Sequence, residues 1–517
     1  MLENIEVKIR TLVRLSYNLN MTKVRRLLLL GLFTICIQLE AQLDLRWDQI
    51  VQGSGGAAFS DVTFLADGSC VMIGYSSSAE GIFADNNGNR DGYLIRYDID
   101  GSILWDYVFG GSQVENFNDI VATADGGFIV AGSTNSSDGD LDEFGSLSGL
   151  KELLVKFSAD GTVEWLDSYS SGNVISVNND SEGNIYTIAP FGSLANGNTR
   201  TSKYDSDGIR LWNKTQPGSA ISNSLDMVID DSGNVYRITE IETEDNGYDF
   251  NITKFDAEGN ELWSYLYGGN ANDQGKVIAI QNGELVIAGS TRSTSGIIAT
   301  ENGNTDIFLA NVDFDGTFIS TASFGGSDID NVEDMKVLGD KIFVTGYSNS
   351  VDNDFITPYD NSIDIFLAEI NLSRELVWVD YSGGSDNDLL SKIDIVSDSL
   401  ISLGYASTSQ DGNLEGADEE FSMYIANYNY QDIVNTINVN KVDFDIYPNP
   451  TTHTIIIDLE TYGEYGLKIF DGKGSLVLDN DQLSSNEIDI RNLPSGMLSV
   501  SLHQNGVIAN TRSIFKQ

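Results

Sequence analysis

Apolar and polar positions along this chain repeat as a unit, and each unit contains four strand-length segments. An aromatic residue marks every unit and recurs seven times, at intervals of 47 to 60 residues. The seven aromatic anchors are Trp47, Trp105, Trp165, Trp212, Trp263, Phe318 and Trp378. Because the units are alike, the sequence predicts a fold built from one structural unit repeated along the chain.

The third and fourth segments of each unit predict two kinds of strand, and the fourth predicts a hairpin with the next anchor strand. The third is short and almost wholly apolar, as in Ile129-Val-Ala-Gly, which is typical of a strand covered on both faces. The fourth alternates, as in Ile252-Thr-Lys-Phe-Asp, and this alternation predicts a strand with one wetter face. It usually ends in a turn dipeptide such as Asp100-Gly101, a strong hairpin signal, shortly before the next anchor.

Seven units of four antiparallel strands predict an all-β fold, a seven-bladed β-propeller of four-stranded blades over residues 42–432. A β-solenoid is the alternative, but its coils are normally shorter and its strands do not form hairpins. The chain opens on an anchor strand, 43–51, and the last unit ends on a fourth segment, 422–428. We therefore expect 43–51 to pair with 422–428 and cover that edge, whereas the alternative assigns the place to 436–443.

Residues 1–41 are predicted to be a signal peptide region, with Met21 as the true start. Lys23, Arg25 and Arg26 precede an apolar run over 27–37, and a small residue, Ala41, marks the cleavage site. The apolar run is too short to cross a bilayer, so we expect no integral membrane span in the mature protein. Cleavage would leave Cys70 as the single cysteine, which excludes an intramolecular disulfide.

Charge and histidine content narrow the chemistry. The chain has 77 acidic and 29 basic residues, a formal charge of -48, so nucleic acid and anionic membrane surfaces would repel it. Its two histidines, His453 and His503, both lie near the C-terminus. The repeats therefore contain no histidine for a Ser-His-Asp triad or a His-rich metal site, and no catalytic residue is singled out.

The repeat motif resembles a known family. Each complete unit combines Trp with Gly-Gly-Ser or a variant, then Asp-Gly-Gly before Ala-Gly-Ser, then Asp-Ile-Phe-Leu before Asp-Gly. This order resembles the bacterial secreted β-propeller repeat family over residues 43–430, which implies a fold but not a function. The third and fourth units depart from it, with Ser170-Ser171-Gly172 and Gln216-Pro217-Gly218 where the others have Gly-Gly.

The C-terminal segment 444–517, after a linker at 433–443, carries a second set of motifs. Its order of Tyr-Pro-Asn-Pro, Asp-Gly-Lys-Gly and Leu-Pro-Ser-Gly resembles the type A sorting domain of the type IX secretion system. The motif residues are Tyr447, Pro448, Asn449, Pro450, Asp471, Gly472, Gly474, Leu493 and Gly496. The resemblance implies a small β-sandwich, the type IX secretion machinery as partner, and a secreted or outer-surface location in a Gram-negative bacterium. Met497 stands where that family usually has an aromatic residue.

Acidic loops before the fourth strands offer hard oxygen donors, which suit calcium, the one cofactor this sequence suggests. The candidate residues are Asp85, Asn87, Asn89, Asp91, Asp138, Asp140 and Asp142. None belongs to an EF-hand, because Arg90 and Arg96 occupy the positions of the required glycine and the twelfth-position glutamate. Hydrated turns are therefore the first interpretation of these loops, and calcium sites the second.

Three functions remain open at this stage. The first is a secreted or cell-surface binding or scaffold module whose ligand is a surface glycan or a protein. The second is an extracellular polysaccharide hydrolase or lyase that uses carboxylates in the propeller channel. The third is a structural surface protein whose loops are rigidified by calcium.

Overall fold

The computed structural model describes residues 43–53, 55–144, 149–193, 196–217, 226–243, 247–299, 304–356, 362–397, 400–414, 422–430, 445–447, 451–458, 466–470, 476–480, 487–504 and 507–516. The chain divides into two compact units, 1–432 and 433–517. The predicted signal region lies outside the described residues.

The described part of the first unit forms seven four-stranded antiparallel sheets. The N-terminal strand β1 (Leu43–Val51) belongs to sheet 7. Sheet 1 is β2 (Ala57–Phe64), β3 (Cys70–Ser76), β4 (Asp91–Tyr97) and β5 (Ile103–Phe109); sheet 2 is β6 (Glu115–Ala122), β7 (Phe128–Thr134), β8 (Lys151–Phe157) and β9 (Val163–Ser171). Sheet 3 is β10 (Ser176–Asn179), β11 (Ile185–Ser193), β12 (Asn196–Tyr204) and β13 (Arg210–Pro217); sheet 4 is β14 (Asp226–Ile229), β15 (Val235–Thr243), β16 (Gly247–Phe255) and β17 (Glu261–Tyr267).

The remaining sheets follow the same plan. Sheet 5 is β18 (Asp273–Gln281), β19 (Glu284–Thr291), β20 (Asp306–Val312) and β21 (Phe318–Phe324). Sheet 6 is β22 (Asp330–Leu338), β23 (Lys341–Ser348), β26 (Asp364–Ile370) and β27 (Leu376–Ser382), with a small hairpin of β24 (Val351–Asp352) and β25 (Phe355–Ile356). Sheet 7 joins β28 (Asp388–Ser397), β29 (Leu400–Ser407) and β30 (Ser422–Tyr430) to β1. Short 3-10 turns span Gly81–Phe83, Gly139–Phe144 and Gly412–Leu414.

The sheets follow one another around a centre, as in a propeller. The first strand of each sheet contacts the first strand of the next, in the order β2, β6, β10, β14, β18, β22, β28 and again β2. We call these seven the inner strands. The anchor strands lie at the opposite edge of each sheet, as the repeat predicts.

The N-terminal strand supplies the outer strand of sheet 7. β1 pairs antiparallel with β30, from Leu43 opposite Tyr430 to Val51 opposite Met423, with a bulge between Leu45 and Trp47. This is the pairing that the phase of the repeat predicts. The alternative segment 436–443 lies outside the described residues.

The repeated tryptophans join neighbouring sheets at their outer edges. Trp47 Nε1 donates to Ile99 O of sheet 1 at 3.1 Å. Gly101 in the same turn has φ of +84°, and a Cβ there would lie 2.6 Å from the Trp47 ring. Trp105, Trp212 and Trp263 likewise donate to turn carbonyls of the following sheet. The anchor and the Asp-Gly turn recur together because each indole packs on the next sheet's turn.

The fourth segments differ from expectation. Alternation predicts a wetter face, yet every residue of β4, β20 and β26 is buried. Adjacent sheets cover both faces, so the polar positions find partners inside. Arg96, for example, donates to Ser69 Oγ and Asp67 Oδ2, and Glu369 Oε2 accepts from Trp378 and Tyr430. Alternation here records buried polar contacts rather than solvent.

The C-terminal unit contains two sheets that share one core. One is β31 (Asp445–Tyr447), β32 (Thr454–Asp458) and β35 (Glu487–Asp489); the other is β33 (Gly466–Phe470), β34 (Leu476–Asn480), β36 (Gly496–Gln504) and β37 (Val507–Lys516). Ile455 and Ile488 from the first sheet pack with Leu467, Val500 and Ile514 from the second. This is the layering of a small sandwich.

Candidate functional site

A cavity of about 1510 Å³ lies at the centre of the seven sheets. All seven inner strands line it, and so do Tyr75 and Phe191. Three of its apolar side chains, Leu150, Leu390 and Val396, are exposed to solvent. Leu390 has a φ of +61°, a conformation that costs energy for a residue with a Cβ and that often accompanies a functional surface. The cavity is the candidate binding site.

Five aspartates on the inner strands connect neighbouring sheets, and we call them the seam aspartates. They are Asp61, Asp119, Asp226, Asp334 and Asp394. Each carboxylate accepts a hydrogen bond from a backbone N–H of the next sheet, at 2.6 to 3.3 Å. The donors are, in the same order, Ile120, Val177, Ile278, Ile393 and Phe64. The last bond joins sheet 7 to sheet 1.

Lysine and aspartate side chains in the cavity partly neutralise one another. Lys336 and Lys392 project among the seam aspartates, and the charge of Asp334 raises the pKa of Lys336. The pKa of Asp61 is also raised, well above its ordinary range, by burial and by the adjacent Asp119 carboxyl. In a carboxyl group a raised pKa favours the neutral form, whereas in a lysine it favours the charged form. Lys276 pairs with Glu333 at 3.5 Å. Both charge signs are therefore available to a ligand in the cavity.

The predicted calcium loops separate into two groups. Asp85, Asn87, Asn89, Asp138 and Asp142 are exposed, and Asp140 is half-buried. Asp138 Oδ1 accepts from Ser112 N, and Asp140 accepts from Gly110 N and the Tyr107 hydroxyl. These contacts are those of turns, and among the described residues no cluster of three or more His, Cys, Asp or Glu is arranged for a metal ion.

Asp91 behaves differently from the other loop residues. Its carboxyl group is 1% exposed and lies against Gly110, where it faces Glu115. Burial, followed by the charges of Glu115, Asp140 and Asp138, raises the pKa of Asp91 to about 6, against the backbone bond from Asn87. The sequence places Asp91 in the calcium set but gives no sign of Glu115, because the two meet only when sheets 1 and 2 pack.

Cysteine and histidine offer no alternative chemistry in the described part of the first unit. Cys70 is 1% exposed within β3, and burial raises the pKa of its thiol to about 12. A thiol in that state is a packing group rather than a nucleophile. His453 and His503 both belong to the C-terminal unit.

The sorting motif is partly outside the described residues. Tyr447 ends β31 and is exposed, Gly496 begins β36 with φ of +118°, and Leu493 packs beside the apolar core of the unit. The motif positions Pro448, Asn449, Pro450, Asp471, Gly472 and Gly474 lie outside the described residues.

Comparison with known proteins identifies the C-terminal unit. Residues 445–516 match the family model of the Secretion system C-terminal sorting domain. A regulatory protein, FlaEY of Caulobacter vibrioides, is 23% identical over 202 residues, 32% of this chain. The chain spans about a fifth of that relative, 21% of its length.

Solved structures give distant likenesses. The crystal structure of polysaccharide lyase Uly1 is 11% identical, with 75% of this chain and 100% of that one covered and a TM-score of 0.45. The phage phi92 endosialidase is 10% identical, with 92% and 87% covered and a TM-score of 0.38. At these TM-scores neither likeness bears on activity. Among the described residues, no helix has the length and hydropathy to span a membrane. Residues 445–516 thus carry the sorting domain of a secreted or cell-surface protein.

Proposed function

We propose that this chain is a closed seven-bladed propeller, exported through type IX secretion to the surface of a Gram-negative bacterium, where it serves as a binding or scaffold module. The sorting domain supports the export step. The unbroken cycle of inner-strand contacts and the β1–β30 pairing support a closed ring. The central cavity is the proposed ligand site.

One observation supports the binding role: the seam carboxylates of the cavity are already hydrogen-bonded within the protein, whereas three apolar side chains in its wall are exposed to solvent. The seam carboxylates are already bonded to backbone N–H groups, so they hold the ring rather than wait for a substrate. Leu150, Leu390 and Val396 are instead 42 to 52% exposed at the cavity wall. Exposed apolar groups in the same cavity as Lys336 and Lys392 suit a ligand that has apolar faces together with anionic or hydroxyl groups.

A polysaccharide-active enzyme is the second candidate, and Asp61 with Asp119 is the observation that favours it. A carboxyl with a raised pKa beside a second carboxyl resembles a general acid and its partner. Both, however, also accept backbone bonds: Asp61 from Val62 and Ile120, and Asp119 from Ile120 and Val177. Those bonds favour a structural role.

Glycan and peptide arrays probed with the secreted protein distinguish the two candidates. We expect saturable binding without turnover, and at least tenfold weaker binding for Lys336→Gln with Lys392→Gln. The control is Lys214→Gln, a charge change on the anchor strand β13, which contributes no residue to the cavity wall. Chain cleavage of a polysaccharide that Asp61→Asn abolishes would establish the enzyme instead, and binding unaffected by the lysine changes would contradict the cavity site.

The export role has a separate test. Deletion of 444–517 removes the sorting domain, so we expect the propeller to accumulate in the periplasm. Cell fractionation and surface protease digestion measure this, with the intact chain as control. Normal surface levels of the truncated protein would contradict the assignment.

A further inference from the structure

Buried carboxylates meet in pairs at four of the seven junctions between sheets. In each pair one residue lies at the start of the third strand of a sheet, or two residues into it for Asp249, and the other begins the next inner strand. The pairs are Asp91 with Glu115, Asp249 with Asp273, Asp306 with Asp330, and Asp364 with Asp388. All eight residues are at most 5% exposed. We call them the junction pairs.

At the aligned positions of the repeat, the two acidic members of a pair are both present or both replaced. Asp226 at the start of β14 aligns with the seam aspartates, and Glu152, one position further along β8, pairs with Arg200. At the other three junctions the third-strand position holds Lys151, Asn198 or Ser422. The connection that follows, 172–175, 218–225 or 52–56, contains no acidic residue. A carboxylate needed only for its own turn would not depend on the residue across the junction. The pair is therefore the functional unit.

A Gly-Gly turn keeps each pair close. A Cβ on Gly110 would lie 2.6 Å from Glu115 Oε2 and 2.7 Å from Asp91 Oδ1, so both oxygens approach the same glycine. At the last junction Asp364 and Asp388 approach Gly383 in the same way. The second glycine then donates its N–H to one member, as Gly384 does to Asp388 at 3.0 Å.

Oxygen atoms lie around the Asp91 carboxyl group of the first pair, Asp91 with Glu115. Asp91 Oδ1 is buried and has no hydrogen-bond partner. A Cβ on Gly88 would lie 2.9 Å from this atom and 2.8 Å from Gln113 O, with Gly111 O nearer still. Two backbone carbonyls, an unpaired carboxylate oxygen and the Glu115 carboxylate thus converge on one small region with no donor directed at Asp91 Oδ1.

The same deficiency of donors recurs at other junctions. Asp249 Oδ1, Asp364 Oδ2 and Asp388 Oδ1 are also buried without a hydrogen-bond partner. None of the ion pairs recorded between described residues includes Asp91, Asp249, Asp364 or Asp388. Two adjacent buried carboxylates that both carry a charge are strongly unfavourable unless a proton or a cation neutralises them.

We propose that the junction pairs are divalent-cation sites and that Ca²⁺ is the ion they bind. Carboxylates, backbone carbonyls and serine or threonine hydroxyls are hard oxygen donors, which Ca²⁺ takes in sets of six to eight with flexible geometry. Sulfur and imidazole donors are absent from the described surroundings of the pairs, which disfavours zinc. Because each pair spans two sheets, the ion would join neighbouring blades. Asp91 is one of the residues that the sequence predicts as a calcium ligand. Glu115 is not, and in this proposal it is the second ligand instead of the exposed residues of the predicted loops.

Calcium binding to the intact secreted chain, stripped with a chelator and dialysed, tests the proposal. We expect about three Ca²⁺ per chain, one for each pair shown to keep an unpartnered oxygen, by equilibrium dialysis with radioactive calcium, and a higher Tm in millimolar CaCl₂ than in chelator. NaCl at matched ionic strength controls for screening. Absence of binding together with an unchanged Tm would overturn the proposal.

Single-site variants locate the ions. Asp364→Asn keeps the shape and gives Asp388 a donor, so we expect a folded protein that binds one Ca²⁺ fewer. Glu152→Gln is the matched control, because Glu152 is equally buried but is neutralised by Arg200 within the chain. An unchanged calcium count in Asp364→Asn would contradict the site, as would an equal loss in Glu152→Gln.

Discussion

The seam aspartates and the junction pairs use the same side chain to hold neighbouring sheets together, but they differ in what balances the charge. Each seam aspartate accepts a backbone N–H from the next sheet, as Asp334 does from Ile393. At the junction pairs, Asp91, Asp249 and Asp364 each retain a buried oxygen without a donor. The seam bonds are complete within the chain, whereas these three pairs leave an oxygen for a partner from outside.

This difference means that the two ends of a sheet junction respond to different conditions. A seam bond to a backbone N–H does not depend on calcium, because its donor and its acceptor both belong to the chain. A junction pair responds to protons and cations in the medium. Extracellular calcium would then control the rigidity of the sheet junctions where the pairs lie, while the seam bonds around the cavity stay intact.

The largest expected effect is a pH dependence of stability to which the pairs contribute, together with the buried carboxyls of Asp61, Asp226 and Glu152, whose pKa values are also raised. Burial and the charge of Asp388 raise the pKa of Asp364 from 3.8 to about 7, against a bond from Ser362. Burial raises the pKa of Asp388 to about 6, although bonds from Gly384 and Ser409 oppose it and the charge of Asp386 adds to it. A raised native pKa stabilises the protein below the unfolded value and is lost as pH rises through the native value.

Without calcium, the free energy of unfolding should therefore fall between about pH 4 and pH 7, by several kcal/mol for a pair such as Asp364 and Asp388. Denaturant titrations across this range, in chelator and in CaCl₂, measure the effect. Calcium should flatten the profile, because the ion replaces the proton. A flat profile in chelator would mean that the pairs are already neutralised.

Removal of a seam carboxylate should have the next largest effect. Asp334→Ala leaves the backbone N–H groups of Met335 and Ile393 without their acceptor, at a cost of about 3 kcal/mol. Denaturant unfolding measures the loss, which should be equal with and without calcium. A calcium-dependent loss would erase the distinction between the two sets of aspartates.

Glycine substitutions should have the smallest effect and test the geometry of a pair. Gly110→Ala forces Asp91 and Glu115 apart, so we expect a loss of about 2 kcal/mol and one bound Ca²⁺ fewer. Gly339→Ala is the control: its φ is +57°, but a Cβ there meets nothing within 4 Å. It should cost about 1 kcal/mol and leave calcium binding unchanged. Equal calcium loss in both variants would indicate a general loosening.

The sequence predicts the strands well because the repeat specifies them seven times. The anchor positions, the Asp-Gly turns and the pairing of β1 with β30 all follow from its phase. Solvent exposure is predicted less well: β20 alternates in sequence, yet Asn311 on it is 4% exposed, since flanking sheets cover both faces.

The site is harder to predict because its residues meet only across sheets. The sequence identifies Asp91 by its acidic loop, but Glu115 belongs to another unit and stands among ordinary strand residues. Comparison of the units does contain the missing signal: Asp at the start of the fourth segment and an acidic residue after Gly-Gly are present together or absent together. The seam aspartates are less regular, since Lys392 replaces one and Asp394 lies two residues further along β28.

The position of β1 in sheet 7 also has a consequence for synthesis. After a ribosome completes β1, it must make about 370 further residues before β30, its partner, begins. Until then β1 is a lone strand with unpaired backbone groups, the kind of segment that pairs with the wrong chain. Asp44, Arg46 and Asp48 are spaced along it and stay exposed after folding. These charges would discourage aggregation of the nascent chain throughout that wait.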